Sequence, residues 1–278
     1  MDKLILAALT VAVASAAHAQ CNPPLNSNEA RLLAFYEAPV VFAPVAAPTI
    51  LEPGHIGITG ELTTVPAAPR SLDHTHYCYT QSTESAHLSP VLPRLRVSVG
   101  LPAGFAIEGS YEPRVTVAHA TPDFGSLALS YSRLITPNVT IQARAHGTYG
   151  SVDGPITCPA AALQQSNAAA PCWSRRASDD AFSPNSFGTD VSAGVTPGGG
   201  RVTLYGGAGY AYLPARFRVG FTNFAGLTDR TLVAVGLSRE SLFGGLGIRL
   251  LHSLSAGAEV YAVPADVTLL RLSASYHL

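Results

Sequence analysis

The last ten residues constrain the fold most, because apolar and polar side chains alternate along nearly the whole of this segment. The apolar positions are Leu270, Leu272, Ala274, Tyr276 and Leu278, and the polar positions are Arg271, Ser273, Ser275 and His277. A period of two is that of a β-strand, in which successive side chains point to opposite faces of the sheet. The pattern therefore predicts a strand with one apolar face that ends at the last residue.

The same alternation recurs towards the N-terminus and predicts about twelve strands. They fall at 56–63, 94–101, 105–112, 126–132, 139–146, 187–195, 201–210, 216–222, 233–238, 242–250, 254–262 and 269–278. Strands of about 8–12 residues suit a tilted crossing of a bilayer. Turn-forming residues occur at 102–104, 136–138, 197–200, 225–229 and 252–253, and the longest loops are 66–93 and 150–185.

Short turns on one side and long loops on the other are typical of transmembrane β-barrels. The fold class predicted is therefore all-β: a transmembrane antiparallel up-and-down β-barrel of about 12 strands, within a range of 10–14, over residues 55–278. The turns would lie on the periplasmic side with the C-terminus. An even number of strands would place the N-terminus on that side as well.

Composition favours a membrane location over a soluble one. The chain is 47% hydrophobic and 13% charged, with a mean hydropathy of +0.23. No segment after the first residues offers the ~20 apolar residues that a transmembrane helix needs. A soluble β-sandwich or an autotransporter-like module would also alternate, but its outer face would have to be wet. The net charge of −1 gives no reason to expect a nucleic-acid partner.

Residues 1–19 have the pattern of a cleaved export signal. Lys3 supplies a positive charge, a short apolar stretch follows, and Ala17 and Ala19 form an A-x-A cleavage site. The mature chain would begin at Gln20. A lipoprotein anchored through Cys21 is the alternative, although a small residue would be needed where Gln20 stands.

Residues 20–54 precede the first strand and allow two interpretations. Asn26 or Ser27 could cap a short helix, after which Pro39, Pro44 and Pro48 keep the chain extended. The segment is either a disordered periplasmic tail or a plug folded into the barrel.

The four cysteines suggest disulfides, because an exported chain meets an oxidising compartment. Cys158 and Cys172 lie in one Pro/Ala/Ser/Asn-rich stretch and form the natural pair, which leaves Cys21 and Cys78 as a possible second pair. No C-x-x-C motif is present, and the histidines are scattered. A metal site is therefore not expected, and nothing in the sequence indicates a cofactor.

The terminal strand resembles the C-terminal strand by which bacterial outer-membrane β-barrel proteins are recognised for assembly. Tyr276 matches the frequent aromatic residue third from the end, whereas Leu278 departs from the usual terminal Phe or Trp. The resemblance implies a location in the bacterial outer membrane, with outer-membrane lipid and the barrel-assembly machinery as partners. It is porin-like or similar to hydrophobic-solute transporters in architecture and identifies no specific family.

The polar faces of the predicted strands place charged residues in the barrel interior. These candidate lumen residues are Glu61, Arg96, Glu108, Arg144, Asp190, Arg201, Arg216, Arg218, Arg249, Glu259 and Arg271. Carboxylates can pair with guanidinium groups on neighbouring strands. Such pairs would either fill a closed barrel or line a path for solutes and set its charge selectivity.

Two short motifs raise other chemistry without strong support. His87-Leu88-Ser89 is similar to the His-x-Ser pair of outer-membrane phospholipases and lipid A deacylases, but it precedes Pro90 in a predicted loop and has no identifiable third residue. His74 and His76 lie in the first long loop, where a solvated polar stretch is the commoner role. The chain is therefore expected not to be an enzyme.

The sequence is compatible with two functions. The first is a small passive channel or solute-uptake barrel with an arginine/carboxylate lumen. The alternative is a structural or surface-binding barrel that acts through its external loops. The solute of the first is not predicted.

Overall fold

The sheet closes on itself, because the last strand pairs with the first. The computed structural model describes residues 20–72, 77–78, 90–117 and 119–278, and within these ranges ten antiparallel strands form one closed barrel. They are β1 (Ile56–Thr64), β2 (Val91–Gly100), β3 (Phe105–Glu112), β4 (Thr121–Thr136), β5 (Val139–Gly154), β6 (Ser186–Val195), β7 (Val202–Arg218), β8 (Leu232–Arg249), β9 (Leu254–Val263) and β10 (Val267–His277).

Each barrel strand pairs with the next along the chain, and β10 pairs with β1 from Arg271↔Thr63 to His277↔Gly57. The other elements are one helix, α1 (Asn28–Glu37), short strands and 3-10 turns. The short strands are Gln20–Cys21, Asp180–Ser183, Phe221–Thr222 and Thr228–Asp229, and the 3-10 turns are Arg70–Leu72, Pro102–Gly104, Ala160–Ala162 and Pro197–Gly199. No described helix is long and apolar enough to span a membrane.

The predicted barrel is confirmed, and ten strands fall within the predicted range of 10–14. The count is lower by two because, in two places, a pair of predicted strands is one continuous strand in the structure. Segment 201–210 and the first residues of segment 216–222 join in β7, which ends at Arg218, and segments 233–238 and 242–250 join in β8. The alternation passes through Pro214 without changing phase, since Pro214 still pairs with Gly236. A ladder that continues through the intervening residues leaves no room for a turn.

The barrel has a loop end and a turn end. The loop end carries the described parts of segment 65–90 together with segments 155–185 and 219–231, and the turn end carries the connections at 101–104, 137–138, 196–201 and 250–253 together with the C-terminus. The predicted turn at 225–229 is wrong in position, because those residues belong to the small hairpin Phe221–Thr222/Thr228–Asp229 at the loop end.

The outer face of the wall is apolar and the inner face is polar. Leu127, Val191 and Leu242 project outward and are more than half exposed, whereas Glu259 and Arg271 are almost completely buried inside. A soluble barrel would show the opposite arrangement, since exposed apolar surface of this extent is not tolerated in water. The surface is that of a barrel surrounded by lipid.

The N-terminal segment runs through the barrel interior. Ser27 caps α1 through a hydrogen bond to the backbone N–H of Ala30, as the sequence suggests. After a turn at 38–40, the chain continues without regular secondary structure towards Pro48, and Phe42 and Ala43 are fully buried. Gly54, with φ of +84°, turns the chain into β1 at the turn end. The left-handed conformation explains the glycine at this position.

Candidate functional site

Buried charged side chains line the barrel interior and pair across neighbouring strands. The Arg96 guanidinium donates to Glu61 at 2.7 Å and to Glu108 at 2.9 Å. Arg144 reaches the same Glu108 carboxylate at 3.2 Å and lies 3.5 Å from Asp190. These contacts link charged residues of β1, β2, β3, β5 and β6, and the Arg144–Glu108 contact passes across the inner face of β4.

The same arginines also hold the N-terminal segment by its backbone. Arg94 donates to the carbonyl oxygen of Val40 at 2.9 Å, and Arg96 donates to that of Ala43 at 2.9 Å. Arg144 donates to the Phe42 carbonyl oxygen. Further along the segment, Arg271 donates to Pro44 at 3.3 Å and Ser273 to Val45 at 3.1 Å.

These bonds follow from the local sequence of the segment. Pro39 lies in the turn at 38–40, against the prediction of extended chain there, whereas Pro44 and Pro48 lie in a stretch without regular secondary structure, where a proline has no backbone N–H to donate to a neighbouring carbonyl group. A buried carbonyl group without a donor is costly. The inward arginines supply that donor, so the plug is held by backbone recognition.

Phe42 is the central side chain of the plug. Its ring is fully buried, with the guanidinium carbon of Arg96 4.3 Å from the ring centroid and that of Arg144 4.8 Å away. Arg94 approaches at 5.5 Å. Guanidinium groups stack favourably on aromatic rings. The side chain and backbone at position 42 thus engage one arginine cluster.

The segment crosses the barrel from the loop end to the turn end. Gln20 and Cys21 pair in parallel with Leu232 and Val233, at the loop end of β8. The N–H of Gly54 donates to Gly100 at the turn end of β2. The prediction that the mature N-terminus lies beside the C-terminus is therefore wrong for Gln20, because the chain passes through the interior before the first barrel strand begins.

Two disulfides tie down the loop end, and both match the pairings inferred from the sequence. Cys21 and Cys78 join the start of the N-terminal segment to the first long loop. Cys158 and Cys172 close part of segment 155–185. The Cys21–Cys78 disulfide fixes the N-terminal segment at the loop end, and the covalent connection to β1 fixes it at the turn end.

Glu37, at the end of α1, is a buried carboxyl group of the plug. It is fully buried, and neither carboxylate oxygen has a hydrogen-bond partner among the described residues. Burial raises the pKa of the Glu37 carboxyl well above its ordinary value, and the nearby positive charge of Arg239 opposes that rise. Ionisation of this carboxyl would leave a charge buried inside the barrel, so we expect the seating of the plug to depend on pH.

The structure brings most of the predicted lumen residues together inside the barrel. Those found in the interior are Glu61, Arg96, Glu108, Arg144, Asp190, Glu259 and Arg271. Arg201 and Arg249 are exposed at the turn end and do not join the network. Arg216 and Arg218 face outward near the loop end, because β7 keeps one phase and places Phe217 inside.

Sequence reasoning missed four interior residues. Arg94 and Glu112 form a buried pair at 3.2 Å, and His146 lies 3.1 Å from Asp190. All three lie on polar strand faces, so the alternation could have found them. Phe42 lies outside the barrel strands, and its role depends on a tertiary contact that the pattern of the segment does not show.

Exposed arginines cluster at the loop end around β7. The set is Arg175, Arg176, Arg216, Arg218 and Arg230, and none of them forms an ion pair with another described residue. Register places Arg216 beside Ser183 and Arg218 beside Ala181. We call this set the arginine rim.

Asp180 holds the loops that carry the rim. Its buried carboxylate accepts hydrogen bonds from the backbone N–H groups of Ile156, Thr157 and Gly220 at 2.6–2.9 Å, and from the Ser178 hydroxyl at 2.7 Å. These bonds join segment 155–185 to the hairpin that follows β7. The loops are therefore an ordered surface.

The two motifs considered for other chemistry, His74 with His76 and His87-Leu88-Ser89, lie outside the described residues. Within the part of the chain that the structure describes, no group of three or more His, Cys, Asp or Glu side chains is arranged to hold a metal ion. The cleaved segment predicted at 1–19 also lies outside the described residues.

The chain is similar in fold to solved outer-membrane proteins. Ail, the attachment invasion locus protein of Yersinia pestis, is 11% identical with a TM-score of 0.31, over 81% of this chain and 99% of Ail. The KdgM porin is 10% identical with a TM-score of 0.33, over 80% of this chain and 98% of the porin. A loop L8 deletion mutant of OmpT, an outer membrane protein of Vibrio cholerae, is 12% identical with a TM-score of 0.28, over 68% of this chain and 54% of that protein.

No protein-family model matches the chain, and no curated protein matches it. The likeness to these solved structures is at the level of a β-barrel. What can be said of this chain's activity therefore depends on its own side chains.

Proposed function

We propose that this chain is a closed outer-membrane barrel that binds anionic ligands at the cell surface through the arginine rim. The apolar outer wall and the C-terminal strand support an outer-membrane location, with the loop end facing outward and the turn end facing the periplasm. Outer-membrane lipid surrounds the wall, and the barrel-assembly machinery recognises the last strand.

The filled lumen argues against the passive-channel hypothesis. The arginines expected to line a solute path donate to carbonyl groups of the N-terminal segment, as Arg96 does to Ala43. A permeating ion would have to displace those buried bonds. The arginine/carboxylate network therefore acts as a seat for the plug.

The arginine rim is the observation that carries the proposal. Segments 174–183 and 216–231 carry all five rim arginines, against two exposed acidic residues, Asp179 and Asp229. Guanidinium groups bind phosphate and sulfate oxygens with paired hydrogen bonds. Since none of them pairs with a carboxylate in the part of the chain that the structure describes, they are available for a ligand with clustered phosphate or sulfate groups, such as a surface glycan.

Binding of a polyanion tests the proposal. The protein, reconstituted in zwitterionic nanodiscs, is expected to bind heparin as a probe, with an affinity that falls as salt rises. Replacing the five rim arginines with glutamine should abolish binding. The matched control replaces Arg133, Arg201 and Arg249 with glutamine, because these arginines are exposed at the turn end.

Two results would overturn the proposed function. One is equal heparin binding by the rim variant and the control variant. The other is defined single-channel conductance of the wild-type protein in planar bilayers, which would return the passive channel as the better interpretation.

A further inference from the structure

We propose that a seam in the barrel wall between β2 and β3 binds a single-chain amphiphile with an uncharged, hydrogen-bonding head group. The inference concerns the lipid-facing wall and does not depend on the arginine rim.

The seam begins where the ladder between the two strands stops. β2 and β3 pair from Gly100↔Ala106 up to Arg96↔Ser110, and no further pairs follow towards the loop end. The strands themselves continue: β2 pairs with β1 as far as Val91, and β3 pairs with β4 as far as Glu112. Towards the loop end, β2 and β3 therefore have no backbone pairing with each other, although each still pairs with its other neighbouring strand.

Two prolines explain why the ladder stops. Continuing the same register would place Pro93 opposite Pro113, and neither residue has a backbone N–H to donate. Unpaired backbone groups in a lipid environment are costly. Prolines at this level end the pairing without leaving their own N–H groups unsatisfied.

A buried ion pair lies behind the opening. The Arg94 Nε donates to Glu112 at 3.2 Å, and the side chains are 1% and 6% exposed. Arg94 also donates through Nη2 to the plug at Val40. Its Nη1 and the Oε2 of Glu112 have no hydrogen-bond partner among the described residues. The seam thus holds one buried donor and one buried acceptor that no described residue satisfies.

A depression of about 560 Å³ on the wall adjoins this pair. Besides Arg94 and Glu112, its lining includes Leu62, Leu95, Tyr111 and Leu272, all of which project outward. Its floor is low because Gly60 and Ala274 lie next to each other on β1 and β10. The volume is suited to an alkyl chain, and the apolar lining to its burial.

The chemistry of the pair selects the head group. Arg94 and Glu112 neutralise each other, so a charged head group would gain no net attraction and would be desolvated. An amide or a hydroxyl group can accept from Nη1 and donate to Oε2 at the same time. The ligand class is therefore a primary amide or alcohol with one alkyl chain, entering from the lipid.

A tryptophan reporter in the depression tests the site. The change is Tyr111→Trp in a Trp173→Phe background, since Trp173 is the only tryptophan of the chain. The control is Tyr149→Trp in the same background. Tyr111 and Tyr149 both pair with Gly125, on opposite sides, so the two reporters share one rung of the wall.

Dodecanamide brominated at the end of its chain is the probe, added to bilayers of unbrominated lipid. We expect saturable quenching at position 111 and only weak, non-saturable quenching at position 149. Brominated dodecanoate at a pH where it is ionised should need about tenfold higher concentration, roughly the factor that one lost hydrogen bond represents.

Filling the depression gives the second measurement. Gly60→Leu should remove the saturable quenching, because a Cβ at position 60 has no atom nearer than 4.0 Å and the larger side chain would occupy the groove. Heat-modifiable mobility on gels confirms that the variant folds, and Ala274→Leu replaces it if it does not. Equal quenching at both positions, or saturable quenching that survives the filled groove, would overturn the proposal.

Discussion

Phe42→Ala is the perturbation that tests most directly whether the N-terminal segment closes the barrel. The change removes a fully buried ring with three guanidinium groups around it, at 4.3, 4.8 and 5.5 Å. It leaves the backbone carbonyl groups of the segment in place. Any effect is therefore due to the side chain and not to loss of the arginine–carbonyl bonds.

The expected magnitude follows from the burial of the ring. Replacing a buried phenylalanine with alanine costs about 3–5 kcal/mol, because the apolar contacts are lost and a cavity remains. Stacking on the guanidinium groups contributes within that range and is not added to it. Since about 1.4 kcal/mol corresponds to a tenfold change, the unseated fraction should rise at least about 100-fold.

The segment cannot leave the barrel entirely, because the Cys21–Cys78 disulfide holds its outer end and β1 holds its inner end. Unseating should therefore appear as brief openings. In planar bilayers we expect a silent wild-type protein and short conductance steps from the variant. A protease added on the loop side should also cut the segment faster in the variant.

Phe187→Ala is the matched control, since Phe187 lies on the lipid-facing side of β6 with 58% of its surface exposed. It loses a ring of the same size without touching the plug. The reasoning fails if the Phe42→Ala variant stays silent and resistant to protease, or if both variants open equally.

Three further predictions concern the plug, the wall and the loops. Because the pKa of Glu37 is raised in the folded state, seating should weaken as pH rises above the ordinary value of the carboxyl; Glu37→Gln should remove that dependence in conductance recordings across pH, and an unchanged profile would contradict it. Leu272→Arg should cost about 2–4 kcal/mol if the position lies near the bilayer midplane, so its folding yield should fall below that of Arg271→Leu, and the reverse order would mean that the faces are exchanged. Asp180→Asn should loosen segment 155–185 and speed its proteolysis while heat-modifiable mobility is retained, because each lost bond to the carboxylate is worth about 1.5–3 kcal/mol; equal proteolysis of the two proteins would contradict this.

Much of the wall could be predicted from the sequence, because a barrel strand in lipid must alternate along its whole length. The outward positions of β10 and the inward positions of Glu259 and Arg271 follow from the period alone. Strand number was less predictable. A polar or proline-containing stretch within a strand has the composition of a turn, and only pairing distinguishes the two.

The sequence allowed residues 20–54 to be either a tail or a plug, because the inward arginines hold this segment through hydrogen bonds to its backbone carbonyl groups. The carbonyl groups of Val40 and Ala43 are the same in every sequence, so no side-chain pattern marks them as partners of Arg94 and Arg96. The prolines indicate extended chain but not where it lies. The seam at Pro93 could not be predicted either, because the sequence does not give the register between β2 and β3.

The misassigned segments of β7 and β8 show where the lipid ends. Along β7 the outward side chains change from Leu204 and Tyr212 to Arg216, while the inward side chains become apolar at Leu213 and Phe217. Segment 233–238 of β8 makes the same change: the residues predicted to face lipid, Val233, Val235 and Leu237, are buried inside.

Along one strand, successive side chains keep alternating between the two faces of the wall, but the face that carries the apolar side chains changes. Where lipid surrounds the wall, the apolar side chains face outward; beyond it, water surrounds the wall and the apolar side chains face a core of the ordinary kind. Tyr212 pairs with Ser238, and Arg216 pairs with Ala234. The apolar side chains therefore change from the outer to the inner face at the same level on both strands. The inversion indicates that the lipid-facing part of these two strands ends between Tyr212 and Arg216. The rim residues Arg216 and Arg218 therefore lie just beyond the level of the lipid head groups, where a phosphate or sulfate ligand could reach them.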